Sequence, residues 1–175
     1  AVITAQDVDN ILRLAIRLQD EPTAYFLIVG DGSEVPRLKA AIAEKGLTNI
    51  ALHPAVGQRE YLSMLSEFDI GLISLDRGFK TQNFPGKMLG YMYYAMPMLA
   101  SINPGNDLQT ILEAREAGLV CINGDDEQFA ALARRLLADA GLRDRLGRNA
   151  RALLESTFSV SGAAGQILAH FGGKR

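Results

Sequence analysis

The sequence holds one cysteine, Cys121, inside the apolar run "LVCI". A single thiol excludes an internal disulfide, and a buried strand position is its simplest reading. The lack of cystine chemistry fits a reducing compartment. No run reaches the roughly 20 apolar residues of a membrane span. The start, "AVITAQDVDN", lacks the basic head and apolar block of a signal peptide, and it lacks an initiator Met. It opens almost directly into a helical pattern, as expected for a piece of a longer chain. An excess of one charge is missing too: the formal net charge is −2, with acids and bases interspersed. That excludes a dedicated nucleic-acid binder, which carries a basic surplus. The two histidines, His53 and His170, form no cluster with a Cys, so no metal-ligand spacing is visible. Paired carboxylates at a catalytic spacing, a Gly-x-Ser-x-Gly elbow and a Walker loop are also missing.

What is present is a chain of 175 residues, 48% of them hydrophobic, enough for one domain with a proper core. "VDNILRLAIRLQ" puts Val8, Ile11, Leu12, Ala15 and Ile16 on one helical face. "AYFLIV" reads as a fully buried strand running into "GDG". A helix through Val35 and Ile42, with Gly46 as its cap, leads to the strand "NIALH". A helix over 58–67, a strand "DIGLISL", a helix at "GKMLGYMYYAM" and a strand "PMLAS" follow. Then come a helix over 107–117, a strand "LVCI", and helices over 125–138, 142–156 and 159–171. Strand and helix alternate about five times, which implies a Rossmann-like α/β fold with a parallel sheet flanked by helices.

Ligands of such sheets bind beyond the carboxyl ends of the strands. "GDGSEVPRL" has half of a dinucleotide fingerprint but not its third glycine, so a tight turn is the better reading. His53, beside Pro54, reads as structural rather than as a general base, while the loop backbone after it could read a base edge. "NPGNDLQTIL" presents Gly105 and Asn106 before a helix whose N-cap is Asn106 or Asp107, with sugar hydroxyl contacts as a second role. The stretch "NFPGKMLGYMYYAMPML" is the richest. Pro85 suits a first helical turn, Gly86 permits close approach of another molecule, and Lys87 follows in that turn. A cation there opposes the helix dipole unless an anion lies between, which reads as a phosphate site. A solvated lysine on a surface helix is the competing reading. Behind it, Met88, Leu89, Met92, Ala95 and Met96 form an apolar face.

The order "FLIVGDGSEVPRLKAAIAEKGLTNIALHPAV", "LSMLSEFDIGLISL", "FPGKMLGYMYYAMPMLAS", "EAGLVCINGDDEQFAALARRLLAD" resembles the C-terminal half of a GT-B glycosyltransferase of the family-four (group 1) retaining type. Such enzymes build bacterial surface polysaccharides, including lipopolysaccharide. The resemblance covers nearly the whole chain. It implies one nucleotide-sugar-binding domain over 1–175, with closing helices over 142–171 and the acceptor domain absent. It implies that the domain's first strand precedes Ala1, carrying a glycine-rich turn and basic residues. The family's two signature glutamates, eight positions apart, fall on Gln82 and Gly90, a departure that leaves Tyr91 as a substitute for ribose contact. The implied donor-binding set is Val56, Gln82, Asn83, Pro85, Gly86, Lys87, Gly90, Tyr91, Gly105 and Asn106. No catalytic residue is named by the resemblance.

The expected partners are a nucleotide diphosphate sugar, the acceptor domain and a lipid-linked saccharide. No metal or other cofactor is expected, and no nucleic acid. The full enzyme is expected in the cytoplasm, at the inner face of the cell membrane. The alternatives are a non-catalytic Rossmann-like binding module and a GT-B-type sugar-nucleotide epimerase.

Overall fold

Asp7 opens the first helix by accepting a hydrogen bond from the Asn10 amide at 2.9 Å, as an N-cap carboxylate does. Residues 7–78 and 84–158 are described in this computed structural model. Helix α1 (Val8–Arg17) is buried on two sides. Val8, Ile11, Leu12 and Ala15 pack with Leu38, Leu47 and Ile50. Leu14 and Leu18 pack with Phe129, Ala130 and Ala133 instead. Ile16, expected on the apolar face, lies 38% exposed, because the helix wedges between two layers rather than lying on one.

Strand β1 (Phe26–Val29), helix α2 (Val35–Glu44), strand β2 (Ile50–His53), helix α3 (Gln58–Leu65) and strand β3 (Gly71–Ser74) follow. Next come α4 (Lys87–Tyr93), β4 (Met98–Ile102), α5 (Asp107–Ala114), β5 (Gly118–Ile122), α6 (Asp126–Ala138) and α7 (Ala140–Leu153). All pairings are parallel, as the alternation predicts. They form two strips rather than one sheet: β1 beside β2, and β3–β4–β5. Phe26 pairs with Ile50 and Val29 with His53. Gly71 pairs with Met98, which pairs with Gly118.

The strips explain why β1 departs from its sequence reading. All four of its residues are half-buried, not fully buried. β1 has one ladder, to β2, and its other edge borders a cavity. Strand β4, paired on both sides, is buried throughout. Its Met98, Ala100 and Ile102 meet Met88, Met92, Leu108 and Leu112 in the main core. Each Met, Leu and Ile side chain among them contributes about 1.5–3 kcal/mol by leaving water.

Helix ends follow local chemistry. The Asn106 side chain caps α5 by accepting from the Leu108 amide at 3.0 Å. That helix stops at Ala114 rather than 117, since Glu116 adopts a φ of 46° to turn the chain into β5. Asp125 and Asp139 cap α6 and α7. Helix α7 ends at Leu153 and widens into a π turn over Leu154–Phe158. The helix expected over 159–171 lies outside the described residues, as do Gln82, Asn83 and His170.

Candidate functional site

A cavity of about 1080 Å³ runs between β1 and β3, from Tyr25 and Phe68 at their amino ends to the loops at their carboxyl ends. Its mouth is built by the loops there. Val29 and Gly30 end β1, Ala55 and Val56 follow β2, and Gln58 and Tyr61 come from the start of α3. Opposite them stand Pro85, Gly86, Lys87 and Tyr91. The structure thus gathers Val56, Pro85, Gly86, Lys87 and Tyr91 of the sequence-derived set around one space.

Each has a physical position. Pro85 is buried and fixes the entry to α4. Gly86 is exposed, and a Cβ built on it would meet nothing within 4 Å, so the backbone is open to a ligand. Lys87 lines the cavity and is half-buried. Burial lowers its ammonium pKa from the usual 10.5 to about 8, because desolvation disfavours the charge. Helix α4 has only 7 residues. Its dipole is therefore short, and the cation itself is the main source of positive potential.

Tyr91 turns inward. Its hydroxyl donates to the Leu72 carbonyl at 3.3 Å, and its ring lies flat on Gly71, where a Cβ would come within 2.4 Å of Tyr91 Cδ2. Burial, then the neighbouring Tyr61, raises its pKa. Burial likewise raises that of Tyr61. Both phenols stay neutral, as hydrogen-bonding groups. Met88, Met92 and Met96 behind them are core, while Leu89 is 45% exposed rather than part of the apolar face.

Three expected residues stand apart. Gly90 does not line the cavity; a Cβ there would point at Leu65 Cδ1, 3.0 Å away. Gly105, at a φ of 74°, makes the turn before α5. The Asn106 amide donates to Asn103 Oδ1 at 2.9 Å, so both of its side-chain groups are engaged in the turn and cap. His53 ends β2, with Nδ1 2.9 Å from the Pro54 carbonyl.

Sequence reasoning missed a buried polar knot at the same end of the sheet. Asn10 donates to Ser74 Oγ at 3.0 Å, and Ser74 donates to the Asp7 carbonyl at 2.8 Å. Asn123 donates to Asp7 Oδ2 at 2.9 Å and to the Leu75 carbonyl at 2.7 Å. The only sequence signal was a set of polar residues at strand ends. Cys121 is buried as expected, and desolvation raises its pKa to about 11. Among the described residues, no three His, Cys, Asp or Glu side chains group as a metal site. Nor is any described helix long and apolar enough to cross a membrane.

Parallel strands flanked by helices define an α/β domain of the Rossmann-like class. Residues 2–153 match the sequence profile of the glycosyl transferases group 1, and the chain belongs to that family. It is 26% identical over 141 residues to WcaI of Escherichia coli K12, a glycosyl transferase ascribed to colanic acid biosynthesis; 81% of this chain and 32% of that protein are covered. The chain therefore spans about a third of the length of the curated relatives it matches. The C-terminal domain of LpcC, a group 1 glycosyl transferase of Francisella tularensis, superposes with a TM-score of 0.74 at 17% identity, over 91% of this chain and 83% of that one. Staphylococcus aureus TarM, solved with fondaparinux, α-GlcNAc-glycerol and UDP, superposes with a TM-score of 0.77 at 17% identity, over 96% of this chain and 33% of that one. These likenesses carry the fold: the chain has the architecture of a GT-B C-terminal domain.

Proposed function

We propose that this chain is the donor-binding half of a retaining glycosyltransferase, which moves a sugar from a nucleoside diphosphate to a lipid-linked saccharide. The observation that carries the reading is Lys87. A lysine desolvated to a pKa of about 8, beside the open backbone of Gly86 at the cavity mouth, suits a diphosphate. Its charge would offset the negative charge that grows on the leaving group as the glycosidic bond breaks. Val56 and Gln58 face it across the mouth, where their backbone and amide groups suit a base edge.

UDP in the TarM complex and the polysaccharide role ascribed to WcaI point to the same chemistry. In this reading no metal is used, because Lys87 and basic groups of the longer protein neutralise the diphosphate. The complete enzyme would meet its acceptor at the cytoplasmic membrane face. Gly90 favours a second reading, a donor domain that binds without turnover, since glycine offers the ribose no side chain. Calorimetric titration with UDP, GDP and ADP and their sugar conjugates tests the proposal. Tight preference for one nucleotide supports it, and no binding by the full-length protein at millimolar ligand rejects it.

A further inference from the structure

The outer side of α4 carries apolar bulk into solvent. Met88 and Met92 lie in the core, whereas Leu89 and Tyr93, one helical turn apart on another side, are 45% and 57% exposed. The Tyr93 ring is held from two directions. Tyr94 meets it edge to face, with ring centroids 5.3 Å apart. The Arg151 guanidinium lies 4.9 Å from its centroid and donates to the Tyr93 carbonyl at 2.7 Å.

Arg151 belongs to a stripe on α7. That helix holds four arginines and one aspartate, in a chain whose net charge is −2. Arg143 is used inside the fold, donating to the Leu136 and Leu137 carbonyls at 2.7 and 3.0 Å. Arg145 and Arg148 are exposed, and no ion pair among the described residues engages them. With Arg151 they recur every third residue, which keeps them on one side of the helix. Asp144 and Glu155 flank the stripe, and Arg151 already bonds Glu155 at 2.7 Å. Arg115 and Glu116, in the turn that Asn149 holds through the Glu116 carbonyl, offset each other.

An apolar ridge with a fixed aromatic ring, bordered by arginines, needs two kinds of partner side by side. A bilayer supplies both: an apolar boundary for leucine and tyrosine, and phosphates for guanidiniums. We infer that the α4–α7 surface docks on an anionic bilayer, with Leu89 and Tyr93 entering its interface and Arg145, Arg148 and Arg151 meeting lipid phosphates. The inference rests on the reading of a lipid-linked acceptor and adds a distance to it. Helix α4 begins with Lys87 at the cavity mouth. At 1.5 Å per residue, Tyr93 lies about 9 Å further along the axis. Docking through α4 therefore holds the mouth close to the headgroups, within reach of a saccharide tethered to lipid.

Vesicle co-sedimentation of the full-length protein tests this, with phosphatidylcholine vesicles that contain either about one-third phosphatidylglycerol or none. Binding should require phosphatidylglycerol and fall with added salt. Arg145→Gln/Arg148→Gln should weaken it about thirtyfold, the effect of two surface arginines. Lys39→Gln/Lys45→Gln, an equal charge change on α2, should leave it within about threefold. Absence of binding overturns the inference, as does equal binding by the arginine variant and the parent, or equal binding to both kinds of vesicle. A dimer in solution that Leu89→Asp dissociates also overturns it, because a second copy would then cover the ridge. None of these readouts involves nucleotide. Titration of the same proteins with UDP reports the donor reading by itself, so either can fail alone.

Discussion

Asn123 holds Asp7 across 116 residues of chain, its amide 2.9 Å from Asp7 Oδ2. The same amide group reaches the Leu75 carbonyl at 2.7 Å, so one side chain ties the end of β5 to the end of β3 and the start of α1. Replacing Asn123 with Ala leaves a buried carbonyl and a capping carboxylate short of a donor. Such groups cost about 1–3 kcal/mol each when orphaned. Urea denaturation of Asn123→Ala should show a loss of that order. An unchanged midpoint would mean that water replaces the amide at no cost.

Lys87 makes the donor reading measurable. Lys87→Ala should weaken nucleoside diphosphate binding by about 1–3 kcal/mol, as for loss of a charge-assisted hydrogen bond. The pH profile adds an independent check. With a folded pKa of about 8, the ammonium is lost as pH rises through that value, so affinity should fall above pH 8. Stability moves oppositely. The unfolded state, with its pKa near 10.5, binds more protons between about 8 and 10.5, so this group's contribution improves with pH in that window. Affinity flat from pH 7 to 9 removes Lys87 from the site.

Gly90→Glu asks whether the family's carboxylate can be restored. The new Cβ would press on Leu65 Cδ1 at 3.0 Å, a flexible side-chain end that can move. Helix propensity favours the change by about 0.5–1 kcal/mol. Because the position faces α3 and lies outside the cavity lining, the variant should fold and bind nucleoside diphosphates no more tightly than the parent. Tighter binding by a folded Gly90→Glu protein would show that the longer side chain reaches the ribose after all.

Gly147 allows α7 to lie directly on the turn after α4. A Cβ there would fall 1.9 Å from the Ala95 carbonyl oxygen, and Ala95 itself sits at a φ of 51°. Backbone cannot yield as a side chain does, so Gly147→Ala should cost about 1–3 kcal/mol or more through overpacking. A chemical melt with the parent's midpoint would show that α7 can shift freely.

Much of this molecule was legible in one dimension. The helical spacing of Val35, Leu38 and Ile42 and the apolar runs at β3, β4 and β5 needed no partner to be read, since hydrophobic period and strand length are local properties. Lys87 behind Pro85 and Gly86 stood out because a cation at a helix start is locally unfavourable. The polar knot of Asp7, Asn10, Ser74 and Asn123 did not stand out, since its members are separated by up to 116 residues and each is ordinary in its own segment.

The sequence by itself determined the order of strands and helices, the family and the place of the phosphate-like signal, because patterning, caps and turn residues act over a few residues. Only the tertiary structure decided that Gly90 faces Leu65 and that Asn106 is engaged in its own turn. It alone decided that β1 and β3 border one cavity. Those outcomes depend on which backbone meets which across the fold, a matter of long-range packing that no local pattern encodes.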